Sequence, residues 1–197
     1  MAGEIIPLEP SLYRPVISDA AMEFFGSLLK PDLTVFEWGS GGSTIWMAQV
    51  VKWVVTVEHN LDWLEEVRRC AGEEGLTNIQ YLLFHWEDGF PYRDSMRELY
   101  ARSILQFPNN HFDLVFSDSW TLARSRCAQY AVDKVKPGGW LVADDYEWHP
   151  VFNEKSAGLI AGLGWKLVTR RGLCTRQWNH LHHPTTTAFF QKPEGDS

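Results

Sequence analysis

Val35-Phe36-Glu37-Trp38-Gly39-Ser40-Gly41-Gly42-Ser43-Thr44 decides how this chain folds. Leu33, Val35 and Phe36 form a short apolar run that reads as a buried strand. The run ends in an acid and breaks into small residues around a turn. Ile45, Trp46, Met47 and Val50 then recur at helical spacing. Strand, Gly-rich turn and helix is the geometry of a nucleotide-type cofactor site. Gly39 and Gly41 let the backbone approach a ligand, and the helix N-terminus offers free N–H groups. Glu37 is a poor neighbour for a pyrophosphate and a good one for a ligand that carries positive charge. Gly39, Ser40, Gly41, Ser43 and Thr44 complete the candidate turn.

The next strand supports this reading. Trp53-Val54-Val55-Thr56-Val57 is apolar and β-branched, and it stops at Glu58, 19 residues after Gly39. An acid about 20 residues past the turn is placed to accept both ribose hydroxyls. His59 follows it, either as a nucleoside contact or as a surface histidine. The third glycine of a dinucleotide fingerprint is Thr44 here, which argues against NAD and for a single nucleoside.

The chain resembles the class I S-adenosylmethionine-dependent methyltransferases. Glu37-Trp38-Gly39-Ser40-Gly41 is similar to that family's acid-x-Gly-x-Gly motif and Glu58 to its ribose acid. Phe112 to Asp118 is similar to its fourth strand, and Lys136-Pro137-Gly138-Gly139-Trp140-Leu141-Val142 to its turn and fifth strand. The likeness spans about Leu33 to Val168. It implies an α/β, Rossmann-like, doubly wound sheet of seven strands, mostly parallel with an antiparallel last strand. It also implies S-adenosylmethionine as cofactor.

Patterning agrees with that architecture. Strands are expected near 33–37, 53–57, 79–84, 112–117, 140–143, 165–169 and 186–191, alternating with helical stripes. A leading helix is expected over 17–30, within a helical lead-in over 1–30. Asn60 caps a helix with Leu61, Leu64 and Val67 inside, closed by Gly75. A stripe from Ala123 to Val135 is expected to stop at Pro137.

Five strand ends gather the candidate residues: Glu37, Glu58, His85 to Asp88, Asp118 and Asp144. By resemblance, His85, Trp86, Glu87 and Asp88 cradle adenine; the alternative is a helix start with dipole-complementing acids. Asp118 is expected to face the transferred methyl group and to act in catalysis. Asp118-Ser119-Trp120 is nearest to metal-dependent catechol-type O-methyltransferases, whose second acid site matches Asp144-Asp145. Asp118, Asp144 and Asp145 are thus candidate ligands for Mg²⁺ or Ca²⁺; the alternative is helix capping. The chain departs from that group at Thr121, where a catalytic lysine is usual, and at Asp145, where an asparagine is usual. Trp120, Tyr146 and Trp148 are candidate substrate contacts and His149 a candidate base. The loop 172–184, holding Arg176, Trp178, His180, His182 and His183, reads as a substrate lid or a polar loop.

Composition bounds the rest. The chain has 197 residues, which suits one domain, with 45% hydrophobic residues and no run long enough to span a membrane. Its N-terminus lacks a signal-peptide pattern, and Cys70, Cys127 and Cys174 lack metal or disulfide spacing, so a reducing cytoplasm is expected. The net charge of −7 disfavours a broad grip on nucleic acid. Arg170, Arg171 and Arg176 form the one basic cluster and read as a solvated loop. These features point to a methyltransferase acting as a monomer or homodimer on a small molecule, with no nucleic-acid partner expected from the charge and no membrane partner from the hydropathy. Oxygen is the expected acceptor atom. Two other readings fit the same fold: an aminopropyltransferase-like enzyme and a non-catalytic nucleoside-binding protein.

Overall fold

A computed structural model describes residues 7–85, 93–119, 123–146, 156–174 and 184–195. Its seven strands are β1 (Thr34–Trp38), β2 (Trp53–Glu58), β3 (Ile79–Leu83), β4 (Phe112–Ser117), β5 (Val135–Ala143), β6 (Lys166–Leu173) and β7 (Pro184–Gln191). The helices are α1 (Asp19–Leu28), α2 (Gly42–Ala48), α3 (Leu61–Glu73), α4 (Arg93–Arg102), α5 (Arg124–Ala131) and α6 (Gly158–Gly162). The strands form one sheet in the order β3-β2-β1-β4-β5-β7-β6. β1 to β5 pair in parallel, and β7 runs antiparallel to both β5 and β6. The expected doubly wound sheet with an antiparallel last strand is therefore present.

Alternation along the strands builds a core on each face. Phe36, Trp38, Val55, Val57 and Val115 pack with Tyr100, Ile104 and Cys127 on the α4–α5 side. Val35, Val54, Leu114, Phe116 and Val142 pack with Phe25 and Met47 on the α1–α2 side. Each fully buried Phe or Leu contributes about 1.5–3 kcal/mol. Trp38 is wholly buried, and its indole N–H donates to the Tyr100 carbonyl at 3.1 Å and to Ser103 Oγ at 3.2 Å. This ties the last residue of β1 to α4.

Local signals fix the helix ends. Ser18 Oγ accepts from Ala21 N–H at 3.2 Å and starts α1 two residues later than its apolar pattern suggests. Asn60 caps α3 as expected, accepting from Trp63 N–H at 3.1 Å, and Gly75 closes it at φ +69°. Leu64 and Val67 are buried while Leu61 is exposed.

Two expectations about element boundaries are corrected. Val135 belongs to β5 rather than to the helix before it, and Lys136 to Gly139 continue the strand. Pairing with β4 shifts register between Phe112 and Leu114, which accommodates Pro137 at a position where no ladder N–H is required. Arg170 and Arg171 lie on edge strand β6 rather than in a loop, and the Arg170 guanidinium sits 4.5 Å from the centre of the Phe24 ring. Among the described residues no helix is long and apolar enough to cross a membrane.

A candidate cofactor site where the strand order reverses

Chain order runs outward in opposite directions from β1 and β4, so a crevice opens beyond their carboxyl ends. Gly39 follows β1 and Asp118 follows β4, and the two meet there. Gly39 has φ +94°, and a Cβ on it would lie 2.6 Å from the Asp118 carbonyl oxygen. Both its conformation and its neighbour therefore require glycine. Gly42 is required for a different reason: its Cβ would lie 1.9 Å from the Leu12 carbonyl oxygen. The segment before α1 thus runs directly over the start of α2. Gly41 is extended at φ 175° and has ordinary space, so it is not required by conformation.

A hydroxyl network underlies the turn. Glu37 is fully buried and accepts hydrogen bonds from Ser43 Oγ, Thr44 Oγ1 and Thr56 Oγ1. Thr44 Oγ1 in turn accepts from Gly41 N–H at 2.9 Å, and Thr56 Oγ1 bonds Ser40 Oγ at 2.8 Å. Burial pushes the Glu37 carboxyl up to about 7 against the lowering effect of the three hydroxyls. Where the sequence reading puts Glu37 beside a cationic ligand, its oxygens meet three hydroxyls beneath the turn.

Glu58 closes the other side. Its carboxylate accepts from Ser40 N–H at 3.2 Å through Oε2, and from His59 and Asn60 N–H at 2.7 and 2.8 Å through Oε1. His59 Nδ1 also lies 2.7 Å from Oε1. Oε2 accepts one bond among the described residues, which leaves it acceptor capacity. The Trp63 indole donates to the Ser40 carbonyl at 2.7 Å and pins the turn to α3.

Two clefts share Gly39 and Asp118. One, of about 260 Å³, is lined by Glu58, His59, Tyr100, Ser119 and Arg124. The other, of about 340 Å³, is lined by Leu12, Arg14, Val16, Gly41, Ser43 and Trp63 among others. Together they suit an extended ligand passing over the Gly39 turn. His85 is exposed, its Nδ1 3.2 Å from the His59 carbonyl oxygen.

The acids after β4 and β5 surround a cation that the sequence reading missed. Arg124 is buried and donates through Nη2 to Asp118 Oδ1 at 2.9 Å, with Asp145 Oδ2 3.8 Å away. Asp144 is buried and its Oδ1 accepts from Thr187 Oγ1 at 3.0 Å. Burial pushes the Asp118 carboxyl up to about 6, with Arg124 opposing and Asp145 adding to the shift. Asp144 is also raised, by burial first and by Asp118 and Asp145 next. Among the described residues no group of acids, histidines or cysteines is arranged to hold a metal ion. Where the sequence reading sets Asp118, Asp144 and Asp145 as a metal site, Arg124 lies against Asp118 with Asp145 nearby, and the Asp144 carboxylate turns to β7. A readable signal existed, because arginine in the first turn of a helix opposes the helix dipole and needs another partner. Trp86, Glu87, Asp88, Trp120, Thr121, Trp148, His149 and most of the 172–184 loop lie outside the described residues. Tyr146 packs edge-on against Phe190, 6.2 Å between ring centres, on the core side of β7.

Solved structures share the fold. An rRNA methylase from Streptococcus thermophilus aligns at a TM-score of 0.64 and 15% identity over 91% of this chain and 100% of its own. The O-methyltransferase TomG from Streptomyces achromogenes, solved with S-adenosylmethionine, aligns at 0.61 and 16% over 85% and 77%. The fold is the one these methyltransferases share. A precorrin-6y C5,15-methyltransferase from Geobacter metallireducens aligns at 0.55 and 15% over 91% and 99%. No family model and no curated protein matches the sequence. The three are named for unlike acceptors, and the likeness is one of fold.

Proposed function

We propose that this protein transfers a methyl group from S-adenosylmethionine to a small-molecule acceptor, at oxygen. One observation carries the reading: the Gly39 turn, Glu58 and Asp118 line a single crevice where the strand order reverses. The residues fit the cofactor. Gly39 brings main chain close enough to the β4 loop to exclude any Cβ, and Glu58 Oε2 keeps capacity for a ribose hydroxyl. In this reading Tyr100 and His59 flank the nucleoside. Asp118 and Arg14, in the adjoining cleft, complement the ammonium and carboxylate of an amino-acid tail.

When bound, the cofactor supplies an already activated methyl group. The protein then has to position two reactants and take up a proton. Asp118 faces both clefts, and its raised pKa of about 6 suits a group that accepts a proton near neutrality. Arg124 supplies the positive charge that a metal would otherwise bring to the three acids.

A nucleic-acid acceptor is the second reading, since one structural relative is an rRNA methylase. The net charge of −7 weighs against it, and Arg170 is already seated on Phe24. Calorimetric titration with S-adenosylhomocysteine tests the cofactor: micromolar binding is expected, and no binding would overturn the reading. Methyl-labelled cofactor then sorts the acceptors, with label expected in a low-mass extract rather than in total RNA.

A further inference from the structure

Arg124 has a set of contacts that binding a nucleoside does not require. Its Nε–H donates to the Ser119 carbonyl at 2.6 Å, Nη1 donates to the Asp144 carbonyl, and Nη2 donates to Asp118 Oδ1 at 2.9 Å. Asp145 Oδ2 lies 3.8 Å from the same Nη2. Two carboxylates and two main-chain carbonyls, from the loops after two neighbouring strands, therefore converge on one planar cation. Oxygens of this kind otherwise collect around Ca²⁺ or Mg²⁺. Asp145 holds φ +50°, a left-handed conformation uncommon outside glycine, in the same short loop that presents both the Asp144 carbonyl and its own carboxylate. The helix dipole opposes arginine at the first residue of α5, so local preference did not place it there.

We propose that Arg124 is a tethered cation: a positioning residue whose guanidinium fills an oxygen cradle between the β4 and β5 loops and holds Asp118 at the cleft without a divalent ion. The planar fork explains why arginine rather than lysine serves, since three donors reach three oxygens in one plane. The link to Asp118 rests on the cofactor reading, whereas the cradle stands on these contacts alone.

The test is to empty the cradle and refill it. Arg124→Ala leaves the four oxygens around a gap that a small cation can enter. In EDTA this variant should melt below wild type. Millimolar Ca²⁺ or guanidinium should then raise its Tm by about 3 °C or more, as weak binding to the native state alone would do, and should leave wild type unmoved. Affinity for S-adenosylhomocysteine should fall about tenfold in the variant, the scale of one charged hydrogen bond, and partly return with either ion. Arg124→Lys, which keeps charge but loses the fork, should fall between. If Arg124→Ala does not fold, Arg124→Gln carries the same measurements. A variant that melts like wild type, or gains nothing from either ion, would overturn the proposal, as would a wild type stabilised by Ca²⁺. If wild type fails to bind S-adenosylhomocysteine, the cofactor reading falls while the melting comparison still decides the cradle.

Discussion

Replacing Glu37 by glutamine should flatten the pH dependence of stability. The folded carboxyl has a pKa of about 7 against an ordinary 4.5 in the unfolded chain, because it is buried. Between those values the native state holds more protons than the unfolded state, so stability falls as pH rises through the window. The contribution is fully present below the unfolded value and gone above the folded one. Its size follows from the two pKa values and is about 3 kcal/mol. Asp118 and Asp144 are raised as well and act with the same sign, but they remain in both proteins. The difference between wild type and Glu37→Gln therefore isolates Glu37. Urea unfolding of both proteins from about pH 5 to about pH 8 should show wild type losing about 2.5 kcal/mol more than the variant over that range. Ser43, Thr44 and Thr56 can turn their hydroxyls to accept from the amide, so the variant keeps its packing. Parallel curves would refute the reasoning and show that the carboxylate is adequately solvated by its three hydroxyls.

Glu58→Gln should weaken S-adenosylhomocysteine binding about tenfold, the scale of a charged hydrogen bond becoming neutral; calorimetry with unchanged affinity would remove Glu58 from the site. Gly42→Ala should cost about 1–3 kcal/mol, because the Leu12 carbonyl opposite is main chain and cannot yield cheaply. Gly41→Ala, with ordinary space and extended backbone, should change stability by less than about 0.5 kcal/mol, and thermal melts separate the two. Cys127 is buried and its thiol is pushed up to about 12, so it should resist a thiol-specific reagent at mild alkaline pH until the protein is unfolded; fast labelling of Cys127 in the native state would contradict that.

The sheet was legible because its signals are local: β-branched runs, an acid at the end of β2, and alternation between faces. Asn60 and Gly75 marked α3 in the same way. Arg170 and Arg171 misled because charge reads as loop, whereas an edge strand shows alternate residues to water and Arg170 finds the Phe24 ring. Pro137-Gly138-Gly139 misled because such residues normally stop a strand, yet a register shift opposite Asp113 lets β5 absorb them. The site followed a similar division. Gly39 and Glu58 were visible through spacing, but the role of Gly42 depends on Leu12, 30 residues away in sequence. Arg124 gave only its unfavourable place in the first turn of α5 as a signal, because its partners come from two other loops. The acids it binds read alone as a metal site.

The place of β7 bears on how the chain acquires its fold. Among the described residues β6 pairs with β7 and with no other strand, and β7 also covers the edge of β5. Until Pro184–Gln191 has been synthesised, β5 therefore presents an open edge and β6 has nothing to pair with. The last strand must insert between two earlier ones, a late and long-range step of the kind that slows folding and exposes edges to other chains. Nascent chains halted before β7 should be the species that chaperones hold and that aggregate when they are not held.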